Sequence, residues 1–125
     1  KVISVIHPSA AVSKFSTLGR NCFIGPQSIV GPFSQLSDFC RVNNGASVAH
    51  HVSMGTRAIL ADKATVAGDV NIGNNVLVGL GVTINRGVTI GDDVIITSGA
   101  NIFSNVEAGQ IIKQTMTVGV GGKKL

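Results

Sequence analysis

The sequence predicts an all-β protein whose backbone winds into stacked three-sided coils. Seventeen consecutive hexads, from Ile6 to Ile102, each begin with an aliphatic residue or with Met54. Each of these residues is followed four positions later by a small residue, always Ala, Ser, Cys or Val. A period of six fits neither the 3.6-residue helix nor the two-residue alternation of a strand. It is typical of a hexapeptide solenoid in which three hexads make one coil.

Each hexad should supply a short strand and a two-residue corner. With the aliphatic residue as position one, positions five, six, one and two form the strand, and positions three and four turn the chain. Positions one and five then point inward, and positions six and two point outward. Corner residues such as Asn74, Gly45 and Gly87 tolerate the positive φ angles that tight turns need. The pattern predicts no inserted loop between Ile6 and about Lys113, which is roughly six coils.

Composition supports one domain of this kind. The chain has 125 residues, of which 4% are aromatic and 13% charged, with no Trp or Tyr. A core built around large rings is therefore excluded, whereas Val, Ile, Leu and Ala suit thin β stacks. We expect the solenoid over residues 1–113 and a Gly-rich cap or tail over residues 114–125.

Charge and hydropathy limit the classes of partner that the chain is expected to bind. The net charge is +4, but the basic residues are scattered and no aromatic stacking platform accompanies them, so nucleic acid is disfavoured. The charge fits either a solvated surface or attraction of a phosphorylated ligand. No apolar run reaches the roughly 18 residues of a membrane span. The segment Lys1 to Ile6 is too short for a secretory signal, so we predict a cytoplasmic protein without a membrane partner.

Two cysteines, Cys22 and Cys40, lie three hexads apart at the small inward position. They should stack in adjacent coils about 4.8 Å apart. We expect buried, reduced thiols that pack as small apolar groups, which agrees with a cytosolic compartment.

One outward column of position six is apolar. Its members are Phe23, Arg41, Ile59, Leu77, Ile95 and Lys113. The stacked Ile59, Leu77 and Ile95 side chains form a contiguous patch, which either the C-terminal tail or a second subunit must cover. Three-sided geometry favours a cyclic homotrimer formed through the Phe23, Ile59, Leu77 and Ile95 face.

Three segments carry a family resemblance. They are Ile6-His7-Pro8-Ser9-Ala10, Asn43-Asn44-Gly45-Ala46-Ser47-Val48-Ala49-His50 and Val118-Gly119-Val120-Gly121-Gly122-Lys123. Together they resemble the catalytic domain of bacterial hexapeptide-repeat sugar O- and N-acetyltransferases, a left-handed parallel β-helix, and the middle segment is the most specific. Those enzymes usually carry a nucleotide-binding α/β domain ahead of the β-helix. This chain begins where that domain would end, so we expect the domain to be either removed or dispensed with.

The resemblance implies an acetyl-CoA-dependent acetyltransferase that needs no metal. Its acceptor would be the amino group or hydroxyl of a nucleotide-linked sugar or a related small molecule. In this family the residue matching His50 is the general base, and Asn43 belongs to the same motif. One coil later, the backbone N–H of Gly68 would contact the acetyl carbonyl. The region of His7 would touch the acceptor sugar.

The sequence departs from the family around His50. The next residue is normally an acid, and here it is His51, while Ala49 replaces the acid that commonly precedes the base. A second histidine that contacts coenzyme A in the family corresponds to Ile59. Because Asp69 stacks one coil from His51, we hypothesise that His51 and Asp69 together do the work of the missing acid.

Coenzyme A lies along the prism between two subunits in such folds. Leu80 and Arg86 occupy later corners in the expected direction. Arg86 is placed to meet a phosphate or to remain a solvated corner residue, and the same two readings apply to Lys123 and Lys124.

Two other functions compete with acetyl transfer. One is a non-catalytic or degenerate β-helix. The other is a zinc enzyme like the γ-class carbonic anhydrases, which needs three converging histidines. Only His7, His50 and His51 are present, and the adjacent pair would have to bind one ion or face opposite ways.

Overall fold

A computed structural model of the chain describes residues 3–114. These residues form eighteen two-residue strands at positions six and one of the hexads, as predicted. The strands are β1 (Val5–Ile6), β2 (Ala11–Val12), β3 (Thr17–Leu18), β4 (Phe23–Ile24), β5 (Ile29–Val30), β6 (Gln35–Leu36), β7 (Arg41–Val42), β8 (Ser47–Val48), β9 (Ser53–Met54), β10 (Ile59–Leu60), β11 (Thr65–Val66), β12 (Asn71–Ile72), β13 (Leu77–Val78), β14 (Thr83–Ile84), β15 (Thr89–Ile90), β16 (Ile95–Ile96), β17 (Asn101–Ile102) and β18 (Ile111–Ile112).

The strands pair in parallel into three sheets, one for each side of the prism. The seven-stranded sheet has the order β1-β4-β7-β10-β13-β16-β18, the six-stranded sheet β2-β5-β8-β11-β14-β17, and the five-stranded sheet β3-β6-β9-β12-β15. Partners are three hexads apart, as in Ile59 with Leu77 and Thr65 with Thr83. The predicted parallel β-helix of about six coils is therefore confirmed. None of the described residues belongs to a helix long and apolar enough to cross a membrane.

The core is the set of inward side chains at positions one and five. From Cys22 to Ile102 the aliphatic residues at these positions are buried, and Val42, Val48, Met54, Leu60 and Val78 have no exposed surface. Burying each such side chain contributes roughly 1.5–3 kcal/mol. The predicted inward face therefore supplies the core of the rod.

Cys22 and Cys40 are free and buried, as expected. The Cys40 thiol donates to the carbonyl oxygen of Gly55 at 3.0 Å. Burial, together with the neighbouring Cys22 thiol, raises the pKa of Cys40 to about 12. Because the thiolate is the reactive form, Cys40 packs in the core and is not a nucleophile.

The corners use left-handed backbone at position four. Ten non-glycine residues have positive φ there, among them His51 (56°), Asp69 (62°) and Phe33 (62°). This conformation is unfavourable for bulky residues in isolation. Hydrogen bonds between coils stabilise it: His51 N donates to Pro32 O and Asp69 N to His50 O, both at 3.1 Å.

The prediction of an unbroken period to Lys113 is wrong beyond Ile102. Ile95 pairs with Ile111, where a full coil would pair it with Lys113, and Val106 bridges to Ile90. Ile111 therefore occupies the outward position predicted for Lys113. The shorter coil buries Val106, whereas Ala108, which the strict period would bury, is exposed. A branched aliphatic side chain gains more from burial than alanine does.

Candidate active site

The corners of successive coils align into three edges of the prism. The histidine edge joins the six- and five-stranded sheets, and its corners are Lys14-Phe15, Pro32-Phe33, His50-His51, Gly68-Asp69 and Arg86-Gly87. The capped edge joins the five- and seven-stranded sheets, and its corners are Arg20-Asn21, Asp38-Phe39, Thr56-Arg57, Asn74-Asn75 and Asp92-Asp93. The third edge includes Asn44-Gly45, Asp62-Lys63 and Leu80-Gly81.

His50 and His51 face each other at their corner. Their Nδ1 atoms are 3.1 Å apart, and the two exposed rings meet edge to face with centroids 5.3 Å apart. At this distance one Nδ1 carries a proton and donates a hydrogen bond to the other Nδ1. The contact couples the tautomers of two neutral rings, because the ring that donates through Nδ1 has an unprotonated Nε2 and the ring that accepts carries its proton on Nε2.

The His50 ring lies over Gly68 of the next coil. A Cβ atom at Gly68 would be 2.5 Å from Nε2 of His50 and 2.6 Å from its Cε1. The ring thus fills the space that a side chain at position 68 would need, and only glycine permits this placement. The predicted alignment of His50 with Gly68 is confirmed. The space that a side chain at position 68 would fill is occupied by the imidazole.

The Gly68 amide has no acceptor within residues 3–114, although the residue itself is buried. This N–H belongs to the Ala67–Gly68 peptide, and the backbone on either side of it is held in place: Ala67 N donates to Ile84 O and Gly68 O accepts from Gly87 N, both at 3.0 Å. Buried backbone amides are normally paired. A fixed, unpaired N–H beside an imidazole nitrogen is an arrangement that suits a developing oxyanion.

Asp69 contacts Arg86, in a way that the sequence did not predict. Its Oδ2 accepts a hydrogen bond from Arg86 Nε at 3.0 Å, and both side chains are partly exposed. A carboxylate oxygen of Asp69 lies within 4.8 Å of ligand nitrogens of His50 and His51. Among the described residues Asp69 accepts no hydrogen bond from either imidazole, and the hydrogen-bond partner of the His50 ring is His51. Arg86 is an ion-paired corner residue in this structure.

An aromatic ladder supports His51 from the other side. Phe33 stacks on His51 with centroids 5.1 Å apart, and Phe15 stacks on Phe33 at 5.6 Å. The interplanar angles are 26° and 22°. Such stacks contribute roughly 0.5–1.5 kcal/mol beyond the area that they bury. Phe33 therefore restricts the orientation of the ring that holds His50.

Ser34 was missed by sequence reasoning because it occupies an ordinary inward position. Its buried hydroxyl donates to Ala49 O at 2.7 Å and accepts from Val52 N at 3.1 Å. These two groups flank the His50-His51 corner on both sides. The only available signal was a serine in a column where the later coils carry valine.

The structure does not bring the remaining predicted residues to the histidine edge. Asn43 and His7 share an outward column beside the seven-stranded sheet, Ile59 lies within that sheet, and Leu80 lies on the third edge. The segment 46–49 separates Asn43 from His50, a distance of roughly 13 Å at about 3.3 Å per residue. Within one chain these four residues cannot share a small ligand with His50.

Two of these distant residues have distinct surroundings. Nδ1 of His7 contacts Ser9 Oγ at 2.9 Å, so this exposed ring is part of its own corner. Oδ1 of Asn43 is buried and has no hydrogen-bond partner within the described residues. An unsatisfied buried oxygen costs about 1–3 kcal/mol, so a donor outside residues 3–114 would stabilise Asn43.

The predicted apolar column is present on the seven-stranded sheet and is longer than expected. Ile59, Leu77, Ile95 and Ile111 stack in register. Leu77 and Ile95 are each 41% exposed, and Ile111 is 59% exposed. At the start of the column, the Arg41 guanidinium lies 4.9 Å from the centre of the Phe23 ring. The proposed cover by residues of the C-terminal tail, and the motif from Val118 to Lys123, lie outside the described residues.

Comparison with known proteins supports the sequence resemblance. Residues 69–103 match the family described as the hexapeptide repeat of succinyl-transferase. The acetyltransferase domain of PglB from Neisseria gonorrhoeae FA1090 is 26% identical, with a TM-score of 0.87 over 90% of this chain and 55% of that one. PerB from Caulobacter crescentus, solved with CoA and GDP-perosamine, is 29% identical, with a TM-score of 0.87 over 88% of this chain and 53% of that one.

The PglB domain has also been solved with acetyl coenzyme A, at 27% identity and a TM-score of 0.85, covering 86% of this chain and 53% of that one. The predicted resemblance to hexapeptide-repeat sugar acetyltransferases, and the left-handed β-helix that it implies, are thereby confirmed. The chain spans about half the length of these solved proteins. No curated protein sequence matches the chain.

Proposed function

We propose that this chain, whose β-helix is similar to that of hexapeptide-repeat sugar acetyltransferases, forms the catalytic part of an acetyl-CoA-dependent acetyltransferase. The acceptor is an amino group or a hydroxyl of a nucleotide-linked sugar. One observation carries the proposal: Nε2 of His50 lies over Gly68, whose amide N–H has no acceptor within residues 3–114. A base and an oxyanion donor therefore lie side by side.

The chemistry follows from this pair. In the proposed tautomer, Nδ1 of His50 donates to Nδ1 of His51, 3.1 Å away, and Nε2 of His50 is unprotonated and basic. As the acceptor nitrogen or oxygen attacks the thioester carbonyl, Nε2 takes its proton, and the Gly68 N–H stabilises the resulting oxyanion. The tetrahedral intermediate then collapses, the carbon–sulfur bond breaks, and the proton on Nε2 passes to the departing thiolate of coenzyme A.

His51 and Asp69 take supporting parts in this proposal. His51 replaces the usual acid as the group that orients His50, and Phe33 holds His51 in turn. Asp69 keeps Arg86 on the same edge, where the guanidinium is available for a phosphate of coenzyme A. The solved relatives support the substrates, since PerB was solved with CoA and GDP-perosamine and the PglB domain with acetyl coenzyme A.

We further propose that three copies associate so that the seven-stranded sheet of one copy covers the histidine edge of the next. The histidine edge is a convex corner, whereas small-molecule sites are concave, so a second surface is needed to close it. In the apolar column Leu77, Ile95 and Ile111 are exposed and Ile59 is half-buried, so the column is available for contact with another subunit. This arrangement would bring Asn43, Ile59 and Leu80 of one copy toward His50 of another and provide surroundings in which Asn43 Oδ1 could find a donor.

The cellular location proposed is the cytoplasm, in keeping with the two free, buried thiols Cys22 and Cys40.

The deciding experiment measures thiol release from acetyl-CoA with UDP-, GDP- and dTDP-linked 4-amino sugars as acceptors. The account predicts acceptor-dependent release with at least one of them, and acetyl-CoA binding in a calorimeter. A non-catalytic β-helix would show neither. Light scattering should give three times the mass of the chain, and Leu77→Asp should reduce that mass and the turnover together.

A further inference from the structure

We propose that His50, His51 and Asp69 form a binding site for a divalent transition-metal ion such as Zn²⁺, and that the ion inhibits the enzyme. This site differs from the three-histidine zinc centre considered above, because its ligands come from one edge of one chain. The ion is an inhibitor of the base and takes no part in acetyl transfer.

The two imidazoles are already spaced for one ion. Zinc binds histidine nitrogen at about 2.0–2.1 Å, so two nitrogens in a tetrahedral site lie about 3.3–3.4 Å apart. The Nδ1 atoms of His50 and His51 are 3.1 Å apart. Only a few tenths of an ångström of opening would be needed. Both nitrogens belong to adjacent corner residues whose backbone is hydrogen-bonded to the neighbouring coils.

Asp69 supplies the third ligand. Its carboxylate oxygen and the ligand nitrogens of the two histidines all lie within 4.8 Å of one another. The carboxylate must move closer to reach tetrahedral spacing, and rotation of a partly exposed side chain can provide this movement. Arg86 holds one oxygen of Asp69 at 3.0 Å, which leaves the other oxygen for the ion. Ligating carboxylates are commonly held by such an outer hydrogen bond.

The alternative explanation of the short nitrogen–nitrogen contact is the imidazole hydrogen bond itself. The two explanations describe two states of the same pair. A proton lies between the nitrogens in one state, and a metal ion in the other. Zinc binding at Nδ1 moves the shared proton to the Nε2 atom of its ring, and no net proton is lost from the pair.

Inhibition follows from this exchange and rests on the proposed function. With zinc on Nδ1, the neutral His50 ring carries its proton on Nε2. Nε2 of His50 is the atom that lies over Gly68 and would accept the proton of the acceptor. Occupation of the metal site therefore removes the base without displacing any residue of the corner.

The test titrates zinc chloride into the full chain by calorimetry and repeats the titration with His51→Ala and Asp69→Asn. Loss of an outer partner of a metal ligand costs about 10–100-fold in affinity, so loss of His51 should weaken binding at least about tenfold. His7→Ala is the matched control, because its ring contacts Ser9 and lies on another edge. This variant should bind zinc like the wild type.

A second readout uses Co²⁺, whose visible absorption reports the ligand geometry. The account predicts one ion per chain, an intense tetrahedral spectrum, and loss of both in His51→Ala. Wild-type chain that takes up no zinc at micromolar concentrations would overturn the proposal, as would equal uptake by wild type and His51→Ala. Metal binding is measured without any acceptor. If the chain is not an acetyltransferase, turnover will be absent, but the zinc and cobalt titrations will still give the predicted result.

Discussion

The histidine edge and the capped edge share one backbone geometry but use their corner side chains in opposite ways. At the capped edge, Asn74 and Asp92 reach back to the preceding coil. Their Oδ1 atoms accept hydrogen bonds from Thr56 N and Asn74 N, each at 2.8 Å. At the histidine edge, His50 reaches forward over the next coil.

The direction in which the corner side chains reach determines which backbone N–H groups remain free to bind a ligand. Each capping bond contributes about 0.5–1.5 kcal/mol, and at the capped edge Asp38, Asn74 and Asp92 all form one. Opposite Gly68 that position holds Arg86, whose guanidinium has no acceptor atom. The histidine edge therefore gives up a stabilising bond and keeps a free N–H beside an imidazole. The backbone N–H at position three of the hexad stabilises the capped edge, whereas the equivalent N–H of Gly68 is left free for function at the histidine edge.

His50→Ala is expected to have the largest effect on turnover. Removal of a general base costs about 10²–10⁴-fold in kcat, whereas acetyl-CoA binding should persist because the proposed contacts from the Gly68 N–H and Arg86 do not involve the imidazole. Steady-state kinetics and calorimetry on the same preparation measure both quantities. Asn74→Ala is the matched change at the same corner position of the capped edge, and it should keep full turnover with a modest loss of melting temperature. Equal turnover in wild type and His50→Ala would rule out His50 as the base.

A glycine-to-alanine change on each edge separates activity from stability. In Gly68→Ala the new methyl group collides with the His50 ring, and a displacement of about 1 Å costs on the order of 100-fold in rate. In Gly73→Ala it collides with Asp92 Oδ1 and lies 2.8 Å from the Asp92 backbone N. Turnover should fall in the first variant, and the melting temperature in the second. Loss of turnover in both variants, or of melting temperature in both, would contradict the proposed difference between the two edges.

Two exposed phenylalanines provide a smaller contrast. Phe33 stacks on His51, whereas Phe39 of the capped edge lies 5.3 Å from the Arg57 guanidinium. Both have a φ of 62°. Phe33→Leu should lower kcat about three- to tenfold with little change in the KM for acetyl-CoA, because roughly 0.5–1.5 kcal/mol of stacking on His51 is lost. Phe39→Leu should leave kcat unchanged. A rise in KM alone in Phe33→Leu would assign the ring to substrate binding.

The smallest expected effect is a pH dependence of stability at the capped edge. The pKa of Asp38 is lowered from its usual value of 3.8, chiefly because its carboxylate accepts the backbone N–H of Arg20 and then because of bonds from the Arg20 side chain. A carboxyl with a lowered pKa stabilises the fold above that usual value, and this contribution is lost as pH falls through the lowered pKa. Acid unfolding of Asp38→Asn should therefore show a shallower loss of stability below pH 3.8 than the wild type.

The sequence predicted the fold almost entirely, because one repeat specifies both the inward face and the strand register. It failed after Ile102, where either Val106 or Ala108 could provide the apolar side chain that lies opposite Ile90. Only packing against the preceding coil, which contains Ile90, selects Val106. A period can predict that a column continues, but it cannot predict where a coil becomes shorter.

The site was predicted less completely, for a different reason. Stacking by one full coil placed His50 beside Gly68, because that relation depends on backbone alone. The side-chain contacts depend on rotamers. Asp69 had been expected to support His51, yet its carboxylate accepts a hydrogen bond from Arg86, a longer side chain that carries a full charge. The repeat likewise could not predict that the Nδ1 atoms of His50 and His51 face each other, because this contact also depends on rotamers.

The most direct measurement is a crystal structure of the chain with acetyl-CoA bound. The account predicts the thioester oxygen about 2.7–3.1 Å from the Gly68 nitrogen, with Nε2 of His50 directed at the space from which an acceptor attacks. A thioester bound at the capped or third edge, or one whose oxygen receives no hydrogen bond from Gly68, would contradict it.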